Sequence, residues 1–145
     1  KQGSTSSLPP ADAEAKALLA EAKRNGQKAL DEHQSKRILA RYGIPVAREA
    51  LAQSEDEAIG AARKIGYPVA AKACSWRIPH KSGKGLLALR LTSDDDVRAA
   101  FRSIRGIGEQ SVEALAAVKG MNREAARRLY DALHEKPEQG ETGDA

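Results

Sequence analysis

The sequence predicts an α/β (α+β) fold, a small mixed sheet with helices followed by an all-helical tail. Two patterns carry this prediction. From residue 31 to 104 the apolar residues switch between helical and strand spacing, in the order helix, strand, helix, strand, strand, helix. Helices laid on one face of a small sheet would bury the apolar stripes of both layers. Beyond Arg105 only helical spacing remains, interrupted at RGIG and KGMN. A length of 145 residues suits one compact domain or two very small ones. Aromatic residues make up only 3%, so the core must be built from Ala, Leu, Ile and Val.

The elements follow from local signals. The polar, Ser- and Pro-containing entry over residues 1–10 is expected to be flexible. A helix is predicted within 11–27, where Ala15, Leu18, Leu19 and Ala22 recur at helical spacing and Gly26 acts as the stop. The next helix starts at Asp31, with Gln34 three residues on as a capping-box pair, and ends at Tyr42-Gly43. IPVAREALA reads as a short strand, because Pro45 forbids continued helix. SEDEAIGAARKIG is a helix with Ser54 as N-cap and Glu57 in the capping-box position. YPVAAKA and LLALRL are two further strands joined by a basic loop. SDDDVRAAFRSI is a helix whose first-turn acids complement the dipole, with Val97, Ala100, Phe101 and Ile104 on one face. Residues 137–145 form an acidic tail that is expected to be disordered.

Composition bounds the function. A net charge of +4 makes an anionic partner plausible without requiring one. One cysteine, Cys74, excludes an internal disulfide, and with His33, His80 and His134 scattered no metal site is expected. No apolar run approaches the roughly 18 residues that cross a bilayer, so no membrane partner is expected and the reading is cytoplasmic. A chain that begins at Lys1 is expected to be a fragment or a processed product.

No Asp or Glu occurs between Glu57 and Asp94, a window that holds Arg63, Lys64, Lys72, Arg77, Lys81, Lys84 and Arg90, plus His80. An anion would feel that local field. Alternation along YPVAAKA sets Lys72 opposite Val69, Ala71 and Ala73, and in LLALRL it sets Arg90 opposite Leu87, Leu89 and Leu91. Gly83 and Gly85 let backbone N–H groups approach a ligand, while Lys81 and Lys84 add full charges. The stretch does not have the spacing of a P-loop. The same residues also fit a basic hairpin whose glycines serve only the turn.

Three segments, ALDEHQSKRILARYGIPVA, DEAIGAARKIGYPVAAKA and IPHKSGKGLLALRL, together resemble an ATP-grasp amino-terminal lobe. The form they resemble is that of ADP-forming acyl-CoA (acetate–CoA) ligases. The resemblance covers residues 11–104: helix 11–27 is similar to the linker before the lobe, and 28–104 to the nucleotide-binding lobe itself. It implies that Lys72 contacts the ATP phosphates and that His80, Lys81, Ser82, Gly83, Lys84 and Gly85 form a loop covering them. His80 matches a family histidine and is a candidate for phosphate handling, with an ordinary exposed loop histidine as the alternative. The family loop continues with an acid and Val-Gly-Gly where this chain has Gly83-Lys84-Gly85. The second lobe, with its acidic Mg²⁺ ligands, is absent from the sequence. The implied cofactor is therefore ATP with Mg supplied by groups outside this chain, and the implied partner is a CoA-ligase domain carrying that lobe.

The tail, 105–136, reads as two hairpins that share a middle helix, with turns at Gly106/Gly108 and at Gly120. Residues 103–135 resemble the carboxy-terminal helix-hairpin-helix repeat of an excision-repair nuclease. That resemblance implies DNA-backbone binding through Arg105, Gly106, Gly108, Lys119, Gly120, Arg123, Arg127 and Arg128. A plain helical hairpin with glycine stops is the alternative for the same residues.

Overall fold

The computed structural model describes residues 12–78, 81 and 83–134 of the chain. The expectations for 1–10, for His80 and Ser82, and for 137–145 lie outside the described residues. The elements in order are α1 (Ala13–Arg24), α2 (Glu32–Arg41), α3 (Glu55–Ile65), β1 (Val69–Lys72), β2 (Leu87–Leu91), α4 (Asp94–Gly108), α5 (Val112–Ala116) and α6 (Arg123–His134). The expected α/β class holds.

Capping explains where the helices begin. The Asp31 carboxylate accepts from Gln34 N, and the Gln34 side chain accepts from Asp31 N, the reciprocal pair that the sequence signals. Ser93 and Asp96 do the same for α4. At α3 the Ser54 hydroxyl accepts from Glu57 N, but the Glu57 carboxylate takes Gln53 N rather than closing the box.

The sheet is smaller than expected. Among the described residues it has two antiparallel strands, β1 and β2. IPVAREALA is not a strand there: it runs without regular structure, with Ile44, Val46 and Leu51 exposed. Pro45 forbids continued helix, but apolar character does not supply a neighbouring strand, and a strand exists only when its backbone groups are paired.

β2 also departs from simple alternation. Val69 pairs with Leu91 and Ala71 with Ala88, so β2 carries one extra residue against β1. Arg90 takes that strain with φ of +56°. This bulge breaks the period of two. Leu91 is buried and Ala88 packs against the core, whereas Leu89 is 64% exposed. Leu87, Leu89 and Leu91 therefore do not share one face.

Two apolar clusters hold the fold. The first joins Ile59 and Ala62 of α3, Leu91 of β2, and Val97 and Ala100 of α4. The second joins Ile78 and Leu86, at the two ends of the basic loop, to Leu115, Ala126 and Leu129 of the tail. Helix α4 serves both, because it continues past the expected end at Ile104 and sets Ile104 and Ile107 against the second cluster.

That extension corrects the tail reading. Gly106 lies inside α4 and Gly108 is its last residue, so neither makes the first predicted hairpin turn. A helix-interior amide is committed to the carbonyl four residues back and is not free to face a phosphate. Among the described residues of the tail, α5 and α6 form the hairpin, through a turn at Gly120 with φ of +87°.

Helices α1 and α2 pair beside this body. Ala15, Leu18 and Ala22 are buried, while Leu19, expected on the same stripe, is exposed. Arg41 bonds Asp12 through Nε at 3.0 Å and Nη2 at 2.8 Å, and Arg37 reaches Glu14 at 2.6 Å. Similar ties join α3 to α4, where Arg102 forks onto Glu55 at 2.7 and 3.1 Å.

One loop glycine is sterically required. Gly85 has φ of +70°, and a Cβ there would stand 2.6 Å from Ile107 Cδ1. Gly85→Ala is therefore expected to destabilise the fold by about 1–2 kcal/mol, from left-handed backbone strain plus displacement of Ile107. Gly83→Ala has the strain (φ of +74°) without the contact, and urea unfolding of both variants should show the smaller loss there.

Candidate functional site

The basic loop is the connection of the β1–β2 hairpin. Ala73 N donates to Leu86 O at 3.0 Å, which carries the strand pairing to the loop's edge. Inside the loop, Gly83 and Gly85 both adopt positive φ on either side of Lys84. Left-handed backbone at both glycines turns the chain sharply and brings Lys84 to the tail.

Lys72 sits at the end of β1 with its side chain 37% exposed, on the face opposite Val69 and Ala71 as the alternation requires. Its ammonium is not free: it donates to the carboxylate of Glu32 in the first turn of α2. Glu32 also receives Lys36 at 2.8 Å, and Lys36 reaches Glu49 at 2.6 Å. His33 Nδ1 lies 2.9 Å from the other oxygen of Glu49. The result is a chain of charges, Lys72–Glu32–Lys36–Glu49, running along α2 and onto the extended segment.

This network sets the local titration. Hydrogen bonds from Lys36 and then Lys72 hold the Glu32 carboxyl down at about 2. Glu32 and then Glu49 hold the Lys36 ammonium above its usual value. Cys74 is an exposed residue whose thiol is still partly shielded from water, and that desolvation raises its pKa. Asp31 acts in the same direction on Cys74, while the Lys81 charge lowers it. A thiol held protonated in this way is a poor nucleophile.

Lys84 faces elsewhere. It lines a cleft of about 380 Å³ with Arg77, Ile78, Asn122, Glu124 and Arg128. The structure therefore divides two of the predicted residues, Lys72 toward α2 and Lys84 toward α6. Arg63, another cation of the acid-free window, is paired with Asp94, which also accepts from Tyr67 Oη at 2.7 Å. Acids from outside the window thus neutralise part of the field seen in the sequence.

Of the residues in the DNA reading, Arg105 is 3.8 Å from Glu109 and Arg123 is 3.7 Å from Glu113, both on exposed surface. Lys119, Gly120 and Arg127 are exposed. Sequence reasoning missed Glu32, whose first-turn position gives no sign of a partner forty residues away, and Asn122, which caps α6 by accepting from Ala125 N at 2.8 Å. Among the described residues no group of three or more His, Cys, Asp or Glu is placed to hold a metal ion. No helix among them is long and apolar enough to cross a membrane.

A two-stranded hairpin packed with helices, an exposed strand lysine and a glycine-turned basic loop define a small α/β lobe. The chain belongs to the ATP-grasp domain family, whose model matches residues 21–137. That match runs on through the tail, and the comparisons give the helix-hairpin-helix resemblance and its DNA-binding implication no support. The 4-hydroxybutyrate–CoA ligase [ADP-forming] of Nitrosopumilus maritimus is 40% identical over 92 residues, which is 63% of this chain and 13% of that protein. The acetate–CoA ligase [ADP-forming] II subunit beta of Pyrococcus furiosus is 37% identical over 91 residues, 63% of this chain and 39% of that relative. Among solved structures, the dinucleotide-forming acetyl-coenzyme A synthetase 1 of Ca. Korarchaeum cryptofilum, in complex with coenzyme A, Ca-AMPCP and HgCl+, is similar. It superposes with a TM-score of 0.61 at 43% identity, covering 63% of this chain and 40% of that one. The chain thus spans well under half the length of these relatives.

Proposed function

We propose that this chain is a nucleotide-phosphate-holding lobe of an ADP-forming acid–CoA ligase, with Lys72 as the phosphate contact and the 80–85 loop as its cover. The observation that carries the reading is the placement of Lys72, exposed at the end of β1 beside a hairpin loop that bends back through Gly83 and Gly85. A compact ammonium suits charge on phosphoryl oxygens. The relatives support it from a second direction. They are named for different acids, 4-hydroxybutyrate and acetate, yet both are ADP-forming and both share this segment. A piece common to ligases of different acids fits the common reactant, the nucleotide, better than it fits the acid.

ATP would arrive with Mg²⁺, which neutralises phosphate charge in phosphoryl transfer. In this reading the ligands of that ion come from a partner domain bearing the second lobe. What these residues do is bind and orient: Lys72 and Lys81 supply charge, and the glycines let the backbone close over the ligand.

Titration of the intact chain with ATP·Mg by calorimetry tests the reading. Saturable binding is expected, and Lys72→Ala should weaken it at least about tenfold, the scale of one charge-assisted hydrogen bond. Absence of binding at millimolar ATP, or an unchanged affinity in Lys72→Ala, would reject it.

A further inference from the structure

The extended segment between α2 and α3 has the composition of a strand and none of its pairing. Among the described residues, no hydrogen bond engages a backbone N–H or C=O from Val46 to Ala52. Extended backbone with both groups unpaired is a template for a further strand. Beside it, residues 48–51 and one face of α3 enclose a cleft of about 550 Å³. That size falls within the roughly 300–1,000 Å³ of ligand-holding clefts. Leu51, Ala61 and Ile65 give the cleft apolar lining, and Leu51 is 59% exposed. Gly60 opens it further, because a Cβ there would meet nothing within 4 Å.

Charge marks the kind of segment that fits. Arg48 from the extended segment and Lys64 from α3 both line the cleft, and among the described residues neither has an acid within ion-pair distance. The two acids of the same cleft are already engaged. Glu49 lies 2.6 Å from the Lys36 ammonium and 2.9 Å from His33 Nδ1, and Glu57 accepts from Gln53 N at 2.8 Å. An incoming carboxylate therefore meets two cations that no other group claims, whereas an incoming ammonium meets acids that are already bonded.

We propose that residues 46–52 and the adjacent face of α3 form a strand-addition site. Its occupant is an extended peptide segment of a partner protein, with an apolar side chain in the cleft and acidic residues beside it. Pairing with the open backbone supplies affinity without regard to sequence, while the cleft and the two cations supply selectivity. Side chains two residues apart point to the same side of a strand, so acids two positions either side of the apolar residue also face the cleft. The site does not rest on the Lys72 reading.

The test uses the full chain, ¹⁵N-labelled, titrated with the capped peptide Thr-Glu-Thr-Leu-Thr-Glu-Thr. One control carries lysine in place of both glutamates, and a second carries N-methyl groups on alternate backbone amides, which removes strand pairing and keeps the side chains. Saturable amide shifts are expected at 46–52 and 57–65 with the acidic peptide. The lysine peptide should bind about tenfold more weakly, since attraction becomes repulsion. The N-methylated peptide should not saturate. Gly60→Leu fills the cleft at a helix-interior position and should abolish binding with the thermal midpoint held or raised. Lys64→Gln, at an exposed position, should narrow the difference between the acidic and lysine peptides, and it keeps the proposal testable if Gly60→Leu folds poorly. Lys72→Ala should leave peptide binding unchanged. Equal binding of the lysine or the N-methylated peptide, or binding that survives in a folded Gly60→Leu chain, would overturn the site. Concentration-dependent shifts at 46–52 without peptide would make the occupant a second copy of this chain and would overturn it as well.

Discussion

Leu86→Ala is expected to lower the unfolding free energy by about 3 kcal/mol, within the 2–5 kcal/mol typical of emptying a buried leucine position. Leu86 is fully buried, at 0% exposure, and belongs to the cluster that joins Ile78 of the loop to Leu115, Ala126 and Leu129 of the tail. The chain has few large buried side chains to compensate, and total stabilities of about 5–15 kcal/mol leave little margin. The matched control is Leu89→Ala, three residues along the same run and 64% exposed, for which a change within about 0.5 kcal/mol is expected. Urea unfolding of the two variants reads the difference directly, as a shift in midpoint at constant slope. Equal losses, or a loss under about 1 kcal/mol at Leu86, would show that the loop and the tail do not share a core.

The contrast between Leu86 and Leu89 also marks how far the sequence can be read. LLALRL is legible as a strand, and period-two alternation assigns Leu87, Leu89 and Leu91 to one face. The bulge at Arg90 defeats that assignment, because one extra residue reverses the phase of all that precedes it. Nothing in the side-chain pattern announces a non-glycine residue at positive φ. Helix starts are legible for the opposite reason. Asp31 with Gln34, and Ser54 before Glu57, act within one turn, so the residues that cause the structure are neighbours in sequence. The extended 44–50 segment has the composition of a strand, yet pairing depends on a partner the local sequence does not specify. The same limit applies to RGIG. Glycines that suit a turn are carried instead through α4, where Ile104 and Ile107 gain contact with the second cluster and outweigh a propensity cost of about 1 kcal/mol per glycine. The candidate site divides in the same way. Lys72 is visible from its place in a strand, whereas its partner Glu32 and the grouping of Lys84 with Arg128 depend on tertiary packing.

Glu32→Gln is expected to raise the affinity for ATP phosphates by about tenfold, the opposite sign from Lys72→Ala. Glu32 occupies the ammonium proposed above as the phosphate contact, and an exposed pair of this kind is worth about 0.2–1 kcal/mol. Its carboxylate also repels an incoming polyanion, by about 1 kcal/mol at contact distance in water. Removing the charge removes both costs, while Lys36 keeps Glu49 at 2.6 Å. The same substitution changes the response to acid. The Glu32 carboxyl is held near 2 in the folded chain against an ordinary value of 4.5, so the folded state binds fewer protons than the unfolded state between those values. Stability from this group is complete above about pH 4.5 and is lost as pH falls toward 2, and Glu32→Gln should flatten that part of the profile. Calorimetric titration and acid unfolding of one variant therefore test one contact by two independent readouts. If affinity stays level while the acid limb flattens, Glu32 is a structural partner of α2 and Lys72 does not take the phosphates. If affinity rises and the acid limb keeps its slope, the competition is real but Lys36 and Lys72 are not what holds Glu32 ionised. A rise in affinity together with a flattened limb is the outcome that places both effects on the single contact between α2 and β1.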